Sequence, residues 1–275
     1  MVNKRGYIYA GGAGLLLLSV VILAHLFFNR GDNLEIRHQF SDTIPVKKNI
    51  EYRMESVNKV SYLVIDAHNV ELSFVDSVAP SMSDTDIVLA VAAAFTGERL
   101  NYYKPFNICG NYVVNGVAKK GFSSKYNTGY CASYGDTLII ESSSKVMECG
   151  EKSIQYNKER AVSCGGSFFQ QLILVDNAEP APYIPFNKLN LYRALCLKEN
   201  GEISVVQSLD KVNCKDFATA LIDMGYKTAI YLDMGNWAWG WLREDGGSIY
   251  ELSYKYPDTQ YQTNWLVLRK VKGER

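Results

Sequence analysis

Histidine is scarce. The 275 residues hold three, at His25, His38 and His68. None sits in a setting that suits a catalyst, so a histidine-based dyad is not expected. The six cysteines form no Cys-x-x-Cys pair, and no histidine lies near them at zinc-ligand spacing, so no metal and no other cofactor is expected. An excess of one charge is also missing. Lys+Arg and Asp+Glu both number 29, with no acidic tail and no basic stripe. Nucleic acid as a partner needs clustered Lys and Arg to neutralise phosphates, so it is not expected here. Internal repeats are absent too.

A long apolar run is present at the amino end. Lys4 and Arg5 precede residues 7–28, which carry no charge except a potential one on His25. About twenty apolar residues at ~1.5 Å each cross a hydrocarbon core of roughly 30 Å. Basic residues ahead of the run favour an inside amino terminus. A cleaved signal peptide is the rival reading, but the run ends in His25-Leu26-Phe27-Phe28, bulky where a peptidase wants small residues. The expected plan is a cytoplasmic stretch 1–6, a transmembrane anchor 7–28, a polar stalk 29–50 and an exported domain 51–275. The chain would be a single-pass membrane protein with its carboxyl-terminal domain periplasmic or extracellular. An even cysteine count outside the cell permits disulfides. Cys149 and Cys164 flank a charged, hairpin-like excursion and are the first pair to test. Buried thiols are the alternative.

The rest of the chain, 47% hydrophobic and with 19 tyrosines, reads mostly as strands. Residues 62–67 and 70–75 suggest a hairpin around His68-Asn69. Residues 87–97 form a continuous apolar run, read as a strand buried on both faces, with its alanines facing something bulky. Residues 112–116, 137–142 and 167–175 add strands. Residues 192–198 and 203–207 make a hairpin around Asn200-Gly201. Asn213 caps a helix with Asp216 in its first turn, Phe217, Leu221 and Met224 on one face, and Gly225 as its stop. Residues 228–232 form a strand that ends in Asp233-Met234-Gly235. The expected fold is α+β: a large mixed β-sheet with few helices, preceded by one transmembrane helix.

Two charged residues sit oddly in this scheme. Arg193 opens one apolar strand and Asp233 ends another. A guanidinium holds a phosphate through paired hydrogen bonds, and a carboxylate nearby moves a proton during bond cleavage. A structural Arg–Asp pair is the plainer alternative.

The order Arg-x-Ala strand, Asn-Gly turn, second strand, helix, then Ala229-x-x-Leu232-Asp233-x-Gly235 resembles the phosphodiester glycosidase family. The small-residue turn at 93–97, Gly135-Asp136 before a strand, and Phe169-Gln170-Gln171 agree in order. The resemblance spans about residues 60–270. It implies hydrolysis of a sugar-1-phosphodiester without a cofactor, with a carbohydrate or glycan phosphodiester as substrate. Asp233 would be the catalytic carboxylate and Arg193 the phosphate ligand. Gly235 and Asn236 would shape the turn and contact substrate, while Thr96 and Gln170 would line the pocket. The sequence departs from the family where a glycine-rich turn is expected. It reads Asp233-Met234-Gly235-Asn236-Trp237 there, which removes part of the close backbone approach that glycine permits. Trp237, Trp239 and Trp241 either stack on sugar rings or mark one face of a strand. A non-catalytic glycan-binding or structural envelope protein is the alternative function.

Overall fold

The apolar runs among the described residues become strands, but they divide among sheets differently than expected. A computed structural model describes residues 48–96, 108–234, 238–253 and 261–271, all in the unit Lys48–Arg275. The first sheet holds, in spatial order, Ile50–Val57 (β1), Val60–Ala67 (β2), Ile203–Ser208 (β13), Arg193–Leu197 (β12), Thr228–Leu232 (β14), Ile173–Asp176 (β10) and Glu179–Pro180 (β11). The second holds Ile249–Glu251 (β16), Gly240–Arg243 (β15), Ile87–Ala92 (β4), Asn264–Lys270 (β17) and Val70–Asp76 (β3). The third holds Val117–Lys119 (β6), Tyr112–Val114 (β5), Ser167–Gln171 (β9), Gly129–Tyr134 (β7) and Thr137–Ser142 (β8). Two helices complete the described residues, Ser153–Ser163 (α1) and Cys214–Asp223 (α2).

The expected α+β fold with one large mixed sheet is therefore corrected to a mostly β fold of three antiparallel sheets. The link β13–α2–β14 explains why no mixed sheet arises. It steps over one strand, so β13 and β14 flank β12 and each pairs with it antiparallel. Nor does the expected hairpin around His68-Asn69 form. β2 pairs with β1 and β13, while β3 pairs with β17, so this link carries the chain between two sheets. The true hairpin there joins β1 to β2 through Asn58 and Lys59, both at positive φ, as a two-residue primed turn requires. The run 167–175 likewise splits at Leu172, between the third sheet and the first. No helix among the described residues is long and apolar enough to cross a membrane. The apolar run 7–28 and most of the stalk lie outside the described residues.

All six cysteines are free, so the disulfide expectation is corrected as well. Eleven of the residues between Cys149 and Cys164, Ser153–Ser163, form α1, a rod of about 16 Å, not a hairpin that brings its ends together.

One apolar core joins residues of all three sheets and α2. Phe74 of β3 stacks on Phe169 of β9 at 5.1 Å, and Phe217 of α2 stacks on Tyr62 and Tyr192 at 6.1 and 5.7 Å. Two alanines of β4 face bulk: Ala90 lies opposite Trp241, and Ala92 opposite Trp265.

Burial raises the hydroxyls of Tyr62, Tyr112 and Tyr192 to about 12. Their unfolded value is about 10. The folded chain thus keeps these protons where the unfolded chain releases them. Their stabilisation is intact below pH ~10 and is lost as pH climbs through about 12. Denaturant midpoints are expected to fall steeply across that window, in step with phenolate absorbance. A flat profile would contradict the burial assigned to these rings.

Candidate active site

The first, second and third sheets meet at one carbonyl. β14 is buried at all five positions and stops at Leu232. The next residue, Asp233, donates its N–H to the carbonyl of Ala93, just past β4, at 2.9 Å. Gln171, at the end of β9, donates its side-chain amide to the same oxygen at 3.3 Å. The adjoining Ala94 is held on both sides by the Asn264 amide, which accepts from its N–H at 2.7 Å and donates to its carbonyl at 3.0 Å. Asp233 is thus fixed by backbone from a neighbouring sheet.

Asp233 is 4% exposed and lines a cavity of about 690 Å³. Six aromatic rings wall it: Phe95, Phe122, Tyr126, Phe186, Tyr192 and Tyr231. Thr96, Cys109 and Ser124 supply polar atoms, and Lys188 and Asn190 stand exposed at the rim. The Tyr231 hydroxyl accepts the Met234 N–H at 3.0 Å, which ties down the turn after Asp233. Burial, reinforced by the nearby Asp233 charge, holds that hydroxyl well above its ordinary range. Burial also pushes the Cys109 thiol up to about 12, against hydrogen bonds with Ser124 and Asn127 and with Asp233 adding to the rise. Cys109 donates to the Asn127 side-chain oxygen at 2.7 Å. Held as a thiol, it is not a nucleophile at neutral pH. Gly121 keeps this wall in place, since a Cβ there would lie 2.1 Å from the carbonyls of Ile108 and Gly110.

Arg193 pairs with Leu232 across β12 and β14, one residue short of Asp233. The chain order inferred from sequence does bring the two into adjacent strands. Arg193 does not line the cavity, however. It is fully buried, and its Nε and Nη2 both donate to the Gln207 side-chain oxygen, at 2.9 and 2.7 Å. Gln207 in turn donates to the carbonyl of Leu252 at 3.1 Å. The Arg193 Nη1 has no hydrogen-bond partner among the described residues. Burial lowers the guanidinium to about 10, and the neighbouring Asp233 works in the other direction by favouring the charge.

The other sequence-derived residues divide as follows. Thr96 lines the cavity, its hydroxyl 3.0 Å from that of Thr263. Gln170 is outside the lining, and its side-chain oxygen accepts the Asn111 N–H at 2.8 Å. The neighbouring Gln171 is the amide that reaches the Asp233 anchor. Gly235, Asn236 and Trp237 lie outside the described residues. Trp241 is buried in a satellite apolar cluster, and Trp239 donates its indole N–H to Glu251 at 3.0 Å. Sequence reasoning overlooked Tyr231, Tyr192, Cys109 and Phe186. Tyr231 had a signal, since it shares a strand face with Asp233 at a spacing of two.

No family model and no curated protein sequence matches the chain. Among solved structures, the chain is similar to the catalytic domain of zebrafish N-acetylglucosamine-1-phosphodiester α-N-acetylglucosaminidase, auto-inhibited by pro-peptide. That likeness has a TM-score of 0.55 at 13% identity, over 86% of this chain and 85% of that one. A hypothetical protein from Synechocystis matches with a TM-score of 0.47 at 11% identity, over 80% of this chain and 61% of that one. The chain thus shares its fold with a glycosidase catalytic domain.

Proposed function

We propose that the chain is a hydrolase of glycosyl phosphodiesters, with Asp233 as its catalytic carboxylate. The observation that carries this reading is a carboxylate clamped at the end of β14, facing a 690 Å³ cavity. The likeness to a glycosidase catalytic domain supports it. Asp233 takes a proton from water as the water oxygen bonds to the anomeric carbon. The bond from that carbon to the phosphate oxygen breaks, and its electron pair leaves with the phosphate. A phosphate monoester departs readily as an anion, so one carboxylate can suffice. That fits a cavity in which Asp233 is the sole Asp or Glu among the described lining residues. Arg193 serves the anionic half. Its guanidinium is buried outside the cavity lining, one strand over from the end of β14, so it acts on the phosphate through its charge.

One observation favours a second reading, a glycan-binding protein that keeps the fold without the chemistry. Arg193 is locked onto Gln207 and stands outside the cavity lining. A turnover screen over sugar-1-phosphodiesters decides between the two. Release of free sugar that Asp233→Asn abolishes supports the hydrolase. Absence of release from every ester, with glycans still bound, supports the binder.

A further inference from the structure

We infer that the cavity beside Asp233 is a subsite for a hydrocarbon group carried on the phosphate of the ester, a short prenyl-type chain in place of a second sugar. The phosphate ester rests on the reading above; the hydrocarbon rests on the walls of the cavity.

Phe186 sits at the centre of those walls. Its ring lies 5.5 Å from Tyr126, 5.9 Å from Tyr231, 6.3 Å from Phe95 and 6.4 Å from Tyr192. Such a surface gains by shedding water against hydrocarbon. Several of the polar atoms in these walls are already engaged within the protein. The Thr96 hydroxyl is bonded with Thr263, and the Cys109 thiol with Asn127. The Tyr192 hydroxyl donates to the Lys188 carbonyl at 3.0 Å, and that of Tyr231 holds the Met234 N–H. A second sugar pressed against the rings around Phe186, away from Asp233, would meet few polar partners, which is costly for its hydroxyls. A hydrocarbon group meets no such penalty. Lys188, exposed at the rim, gives the mouth the positive charge that an ester phosphate prefers. The volume is within the usual range for a small-molecule site.

Titration calorimetry of the full chain with geranyl phosphate and with methyl phosphate tests this, because the two share a head group and differ only in the chain. Geranyl phosphate is expected to bind at least about 100-fold more tightly, the scale of burying several methylene groups less the ordering cost. Phe186→Ala is expected to cut that advantage below about tenfold, since it removes the central ring. The wild-type ratio decides even where the variant fails to fold. Equal affinities overturn the subsite. An undiminished advantage in a folded Phe186→Ala chain overturns it too, because the hydrocarbon then binds elsewhere. Turnover is read separately. Tight geranyl phosphate binding that depends on Phe186, without cleavage of any sugar phosphodiester, keeps the subsite and sinks the hydrolase. Cleavage without any preference for the hydrocarbon does the reverse.

Discussion

Asp233→Asn is expected to lower kcat/KM on a cleavable sugar-1-phosphodiester by about 10²–10⁴-fold while the chain stays folded, the range ordinarily lost with a general acid or base. The structural side of this expectation follows from how the residue is held. Its fixed contact to Ala93 is made by the backbone N–H, which asparagine keeps. The turn beyond it is anchored by Tyr231 through the Met234 N–H, which the substitution leaves alone. Asparagine is also close to aspartate in size, so the tightly enclosed side chain is not displaced. The charge and the ability to take a proton are lost, and with the charge its support for the buried Arg193 guanidinium. Circular dichroism of the variant is therefore expected to match wild type, with a lower melting temperature from the weakened support of Arg193, while sugar release falls by that factor. Turnover at the wild-type rate would remove Asp233 from the chemistry.

Local features of the fold were legible in the sequence because their causes are local. Asn200-Gly201 makes the β12–β13 hairpin, with Gly201 at φ +83°. Asn213 caps α2 by accepting the Lys215 N–H at 2.9 Å, and Gly225 follows the helix at φ +86°. Sheet membership was not legible. β2 holds a continuous apolar run and β3 an alternating one, and nothing in either pattern says that they pair with partners in different sheets. The split at Leu172 was hidden in the same way, inside a run of strand-forming residues whose two amides, Gln170 and Gln171, precede the break. α1 escaped detection because its inward stripe is Ser153, Asn157 and Ala161, a helical spacing without the apolar residues that reveal one. The Ser and Asn of that stripe are bonded to Tyr130. At the candidate site, the carboxylate at a strand end could be read from sequence. The aromatic walls could not, because Phe122, Tyr126 and Phe186 come from irregular segments that only tertiary packing brings together.

Gln207→Leu is expected to destabilise the chain by about 3–5 kcal/mol, the usual result of stripping a buried charge of its partner. For a chain of this size, each kcal/mol shifts the melting temperature by about 2–4 °C. A loss on the order of 10 °C should therefore be visible by calorimetry. The cause is specific. Gln207 accepts two of the Arg193 donors, and a third, Nη1, already lacks a partner among the described residues. Leucine would strand the guanidinium and also leave the Leu252 carbonyl without its donor. Replacing both members of the pair, Gln207→Leu with Arg193→Met, removes the stranded charge and should recover most of the lost stability, since apolar residues of similar volume often replace buried polar pairs at little cost. The double variant then separates two roles that Arg193 holds together. If Arg193 only braces the sheet, activity returns with stability. If its charge serves the phosphate beside Asp233, the double variant melts near wild type and remains inactive, and this second outcome is the one expected.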